Sequence, residues 1–169
     1  MDSTLSDVRD AVETRRGRLG RRVAMAALTV FVALGLVGFF GVRTATVSAA
    51  GGGYELTVTY PRVARGGLDA LWRVTVRHEG GFDGPVTLAT SADWFDIFET
   101  QGFYPSASDE TADAGRVVQT FTQPSGDTFV LTFDAYVQPA SQRGRTATTA
   151  VVVGGRDVVS VRWRTWLAP

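Results

Sequence analysis

A single histidine, His78, and the absence of cysteine limit the nucleophilic chemistry open to this 169-residue chain. A Ser–His–Asp or Cys–His site needs an imidazole base, and His78 is the one imidazole there is. It ends an alternating stretch beside Glu79 and Gly80-Gly81, where a surface position at a turn is expected. No Walker loop, H-E-x-x-H or G-x-S-x-G motif occurs. Two acidic groups could supply metal ligands or an acid–base pair. Asp93, Asp96 and Glu99 recur at every third residue, and Asp109, Glu110 and Asp113 gather farther on. Calcium requires several such oxygens, but the D-x-[DN]-x-[DN]-G loop that gathers them is missing. A carboxylate pair could also cleave a glycosidic bond, provided its two members stand at a defined separation. Both groups read as solvated loop acids. The expectation is a protein with no catalytic residue, metal, cofactor or small-molecule substrate, and so not an enzyme.

Aromatic residues are the stronger signal. Trp94, Phe95, Phe98, Phe103 and Tyr104 fall in one short segment, and Trp163 and Trp166 close the chain. Period-two alternation puts Phe95 with Ile97, and Trp163 with Val159 and Val161, toward a core. The same alternation turns Trp94, Phe98 and Trp166 away from it. Aromatic rings left outside a domain favour a protein partner or a sugar platform. Trp94, Phe98, Tyr104 and Trp166 are therefore the candidate partner-binding residues.

Something must hold these groups in place, and the first element is apolar. Residues 23–42 carry no charge, and eleven of these 20 are Val, Leu or Phe. At ~1.5 Å rise each they cover ~30 Å, the thickness of a bilayer's hydrocarbon core. Insertion is favoured by about 5 kcal/mol. Arg15, Arg16, Arg18, Arg21 and Arg22 crowd the N-terminal flank, whereas Arg43 stands alone after the span. Arginine and lysine are retained on the cytoplasmic side, so the N-terminus is expected inside and residues 54–169 outside. The same arginines could add about 1 kcal/mol each of attraction to an anionic leaflet. A signal peptide is the rival, since Val47-Ser48-Ala49 before Ala50 has an A-x-A-like form. The apolar stretch exceeds the ~7–15 residues of such a leader, which favours an uncut anchor. Arg15-Arg16 makes a poor twin-arginine signal, because Arg18 occupies an apolar position. Gly35, Gly38 and Gly41 form a small-residue track suited to helix packing in the bilayer. Ahead of the span, Leu5, Val8, Val12 and Leu19 fall near helical spacing.

After the span, residues 44–53 are small and end in three glycines, the composition of a flexible tether. The period then becomes two. Tyr54, Leu56, Val58 and Tyr60 alternate with polar partners until Pro61, and Trp72, Val74 and Val76 alternate with Arg73, Thr75 and Arg77. Turn clusters at 80–85 and 123–127, and Gly154-Gly155 between two β-rich runs, separate further strands. Residues 101–114 read as a loop. Seven or eight short strands with no helix between them predict an all-β, Ig-like antiparallel sandwich, with a closed barrel as the alternative. The absence of a Cys…Trp…Cys pattern excludes an antibody-type domain. The expected organisation is an Arg-rich cytoplasmic tail (1–22), a transmembrane helix (23–42), a tether (43–53) and the sandwich (54–169).

Net charge is zero, but residues 54–169 hold 10 Arg against 13 Asp plus Glu. This mildly acidic balance argues against a nucleic-acid partner, which needs a basic stripe. All 17 basic residues are arginine, the usage of a G+C-rich genome. Trp72-Arg-Val-Thr-Val-Arg-His-Glu-Gly-Gly followed by Gly84-Pro-Val-Thr-Leu resembles the opening of bacterial Ig-like modules of the CARDB type. Pro124-Ser-Gly-Asp, the strand after it and Val137-Gln-Pro-Ala resemble the later half. The resemblance covers residues 54–167 and implies an adhesive or structural appendage. His78 stands where the pattern has Asn, and the 94–114 insertion departs from it. The whole layout is similar to small single-pass actinobacterial membrane proteins with an extracytoplasmic Ig-like domain. The function expected is a non-catalytic, membrane-anchored interaction domain serving a cell-envelope membrane complex. A cell-wall carbohydrate-binding module is the alternative, and it requires Trp94, Tyr104 or Trp166 to be coplanar on an exposed face.

Overall fold

A computed structural model describes residues 15–38, 41–141 and 143–168, and they fall in two compact units, Met1–Phe40 and Gly41–Pro169. The first unit contains the helix α1 (Arg15–Leu36), none of whose residues is buried. It is long and apolar enough to cross a membrane. Its bounds differ from those predicted. The five arginines occupy its first two turns, and the helix stops at Leu36 rather than at residue 42. Gly38 accounts for the stop, with its N–H bonded to the Gly35 carbonyl at 3.0 Å and φ at 69°. That left-handed cap strains any residue with a Cβ. The uncharged part of the helix, 23–36, is therefore ~21 Å long. Of the small-residue track only Gly35 is helical. Leu5, Val8 and Val12 lie outside the described residues.

The second unit is an all-β sandwich of two sheets, not a closed barrel. Its strands are β1 (Arg43–Gly51), β2 (Tyr54–Arg65), β3 (Asp69–His78), β4 (Val86–Ser91), β5 (Phe98–Tyr104), β6 (Asp109–Asp113), β7 (Arg116–Phe121), β8 (Thr128–Val137), β9 (Thr146–Val153), β10 (Arg156–Arg164) and β11 (Trp166–Ala168). One helical turn, α2 (Ala92–Phe95), interrupts them. The first sheet runs β1-β2-β3-β8-β5, with β11 parallel to the end of β2, and the second runs β10-β9-β4-β7-β6. The neighbours β2-β3-β8 and β10-β9-β4 reproduce the A-B-E and G-F-C order of an Ig-like Greek key.

Among the described residues eleven strands replace the seven or eight expected, for identifiable reasons. Residues 43–51 are not a tether: Ala45, Val47 and Ala49 turn toward the other sheet, and Thr44, Thr46, Ser48 and Ala50 face outward. Small side chains hide this alternation from a hydropathy reading, yet the strand pairs with β2 from Arg43↔Val63 to Gly51↔Tyr54. Residues 101–114, read as a loop, supply part of β5 and all of β6. Pro61 does not end β2. It sits where the β1 ladder shifts register and beyond Thr59, the last partner of β3, so its missing N–H removes no bond to β3.

The core follows the predicted phase on β3. Trp72, Val74 and Val76 are buried, while Arg73 and Arg77 are exposed. Trp72 lies at the centre, 5.6 Å from Trp94 and 6.3 Å from Trp163 between ring centroids. Each buried Leu, Val or Phe around it contributes ~1.5–3 kcal/mol. The Gly154-Gly155 hairpin has φ of 57° and 75°, the paired positive values of a type I′ turn.

A polar pair lies inside the second sheet. The Thr90 and Thr149 hydroxyls, both buried, bond each other at 2.8 Å. Thr149→Val keeps the shape but strands the Thr90 hydroxyl, so a loss of about 1–3 kcal/mol is expected in denaturant melts. The Thr90→Val, Thr149→Val double variant should recover most of it. A double variant no better than the single would show that the pair is not an isolated satisfied unit.

Candidate interaction surface

The four aromatic candidates do not assemble. Trp94 is fully buried and Phe98 is 3% exposed, which corrects the outward reading of both. The reason is local. Strand phase ends at Ser91, and α2 swings Trp94 inward, where its indole N–H bonds the buried Thr165 hydroxyl at 3.0 Å. Phe98 opens β5 with its ring 4.7 Å from Trp94. Phe95 is half-buried and Ile97 is buried. Tyr104 and Trp166 do reach solvent, at 82% and 51% exposure. The Arg164 guanidinium lies 3.7 Å from the Trp166 ring centroid, a cation–π contact that fixes the ring on the surface. The two aromatics are nonetheless apart. Tyr104 pairs with Thr132 on the β5 edge and Trp166 with Val63 on β2, with β3 and β8 between them. No shared platform results.

The structure instead gathers the turns. The β1–β2, β3–β4, β7–β8 and β9–β10 connections lie at one end, as the pairings Tyr54↔His78, Arg77↔Thr128, Val86↔Phe121 and Thr87↔Val152 require. Residues 80–82 and 123–127 line an open cleft of about 580 Å³ there. Its walls are braced. The His78 ring sits 4.5 Å from Tyr54 and 6.0 Å from Phe82, and its Nδ1 meets the Gly81 carbonyl. Gln123 Nε2 donates to the Phe82 carbonyl, and the His78 N–H donates to the Asp127 carbonyl at 2.9 Å. The Thr128 hydroxyl and then the Arg77 guanidinium hold the exposed Asp127 carboxyl below its ordinary pKa. The sequence signal for this end was its pair of Gly/Pro turn clusters, which aromatic content alone passes over.

The acidic groups stay in solvent. Asp93, Asp96, Glu99, Asp109, Glu110 and Asp113 are exposed, and Glu110 accepts a 2.8 Å bond from Gln119. Among the described residues no group of three or more His, Asp or Glu side chains could hold a metal ion. The five arginines 15, 16, 18, 21 and 22 are exposed on α1.

No protein-family model matches the chain, and no curated protein matches it either. Among solved structures, a Listeria innocua β-glucosidase in complex with glucose aligns over 74% of this chain at 11% identity and a TM-score of 0.32. This chain covers 16% of that glucosidase. AvmM, described as catalysing macrocyclization in alchivemycin A biosynthesis, aligns over 75% of this chain and 90% of its own, at 11% identity and a TM-score of 0.33. A GH20 exo-β-N-acetylglucosaminidase from Vibrio harveyi aligns over 75% of this chain and 18% of its own, at 15% identity and a TM-score of 0.26.

Proposed function

We propose that the chain is a non-catalytic interaction domain held at the cell-envelope membrane, its N-terminus cytoplasmic and its sandwich outside. Its role is that of an accessory subunit in a membrane complex. The observation that carries this reading is the gathering of four turns at the end of the sandwich opposite Arg43, where the chain enters, two of them walling a braced cleft. Ig-type domains recognise partners with loops clustered in this way on a rigid scaffold. The helix of membrane-span length and the arginines confined to its first turns support the anchor and the orientation. The placement of the aromatics lends the carbohydrate alternative no support, since Trp94 is in the core and Tyr104 and Trp166 occupy different strands.

The test captures the full chain from membranes in mild detergent and identifies what co-purifies. Ser125→Trp fills the cleft from an exposed position and is expected to leave melting unchanged while releasing the partner. Protease added to intact spheroplasts should remove the sandwich and spare the arginine-rich segment. A protected sandwich, or a partner retained by the Ser125→Trp chain, overturns the proposal.

A further inference from the structure

Four strands form the open edges of the two sheets: β1 and β5 in one, β10 and β6 in the other. Three of them are guarded against pairing with another chain. In β5 the ladder is broken between Thr100 and Phe103, and Pro105 follows the strand. In β10 a bulge lies between Asp157 and Val159, flanked by Arg156, Arg162 and Arg164. Asp109, Glu110 and Asp113 line β6. Charges, bulges and prolines are the devices by which natural sheets avoid edge-to-edge joining. β1 is different. From Thr44 to Gly51 it has no charge and no proline, and its ladder with β2 runs regularly from Thr44↔Pro61 to Gly51↔Tyr54. At Gly51 the edge is closed, because a Cβ there would stand 2.7 Å from the Val158 carbonyl oxygen of β10. Among the described residues, 44–50 have no ladder partner other than β2.

We propose that β1 pairs antiparallel with β1 of a second copy, about a two-fold axis through Val47. The strand is self-complementary in that register, as an isologous contact requires. On the outer face Thr46 stands opposite Ser48 of the other copy, and on the inner face Ala45 stands opposite Ala49. Val47 faces its own equivalent, and the two Arg43 side chains are kept at opposite ends. Within one copy Thr46 already bonds Thr59 at 3.1 Å and Ser48 bonds Thr57 at 2.9 Å. Pairing joins these into two symmetry-related rows of four hydroxyls across the two sheets. This contact lies along one side of the sandwich and is independent of the turn-end cleft.

The chain's lack of cysteine makes the test direct, because a single introduced cysteine has no partner within its own chain. Full-length Thr46→Cys and Ser48→Cys chains carrying different tags are co-expressed in one membrane and mildly oxidised. Opposed cross-strand positions lie within ~5.5 Å at Cβ, whereas the diagonal positions that pair each variant with itself lie ~7–8 Å apart. Mixed-tag disulfide dimers are expected to exceed those of either variant alone by about tenfold. Thr44→Cys with Ala50→Cys is the second opposed pair and should behave likewise. Adding Thr44→Lys and Ala50→Lys to the first pair sets like charges opposite each other and should abolish the cross-link with melting unchanged. Equal cross-linking in all combinations, absence of mixed dimers from both pairs, or disulfides to a different protein overturns the proposal.

Discussion

Trp94→Ala is expected to lower the melting temperature of the sandwich by about 10–20 °C. Trp94 is fully buried between Trp72, Phe98 and Trp163. Losing such a ring costs ~3–5 kcal/mol from a typical total of ~5–15. Trp94→Phe separates the two contributions. It keeps most of the volume but leaves the buried Thr165 hydroxyl without its 3.0 Å partner, a loss of about 1–3 kcal/mol. Thermal melts of the full chain in detergent, followed by far-ultraviolet circular dichroism, measure both. A Trp94→Ala chain that melts like the parent would show that the tryptophan is not a core residue.

Val74→Asp should prevent the sandwich from folding, whereas Arg73→Asp should change stability by less than ~0.5 kcal/mol. The two positions are adjacent on β3, yet Val74 is fully buried and Arg73 is exposed. An aspartate at 74 would sit among the core side chains with no partner, and the several kcal/mol this costs approach the whole stability of a domain this size. Soluble yield and protease resistance of the two variants report the contrast. Similar behaviour of the pair would place the core on the wrong face of β3.

The same strand shows what the sequence makes legible. Large apolar residues alternating with arginine can be read only one way, and Trp72, Val74 and Val76 lie inside as that pattern requires. Gly154-Gly155 was equally plain, since two adjacent glycines between β-branched runs suit a turn with φ positive at both residues. Alternation failed where its period broke without a marker. Nothing between Ser91 and Phe98 announces the helical turn that reverses Trp94, because Ala92–Phe95 carries no side-chain cap bond and spans only four residues. In β1 the period was present but written in Thr, Ser and Ala, whose size difference is too slight to register as inside and outside. The turn-end cleft depends on strand order, which brings 80–82 beside 123–127, and strand order is a tertiary property that local pattern does not encode.

Because the sandwich begins at Arg43, mechanical load arriving from the N-terminal side enters through β1. Its rungs with β2, from Arg43↔Val63 to Gly51↔Tyr54, are ranked along the line of such a pull, each bond lying across it, when the turn end is held. The hydrogen bonds are then loaded together, in shear, and must fail together. A grip on the C-terminal strand acts differently. The Trp166–Ala168 rungs meet β2 at Val63–Arg65, the end where β1 starts, so tension between the two termini peels one rung at a time. The fold therefore resists force along one axis and yields along the other, and the direction from which a bound partner tugs decides how long the domain holds.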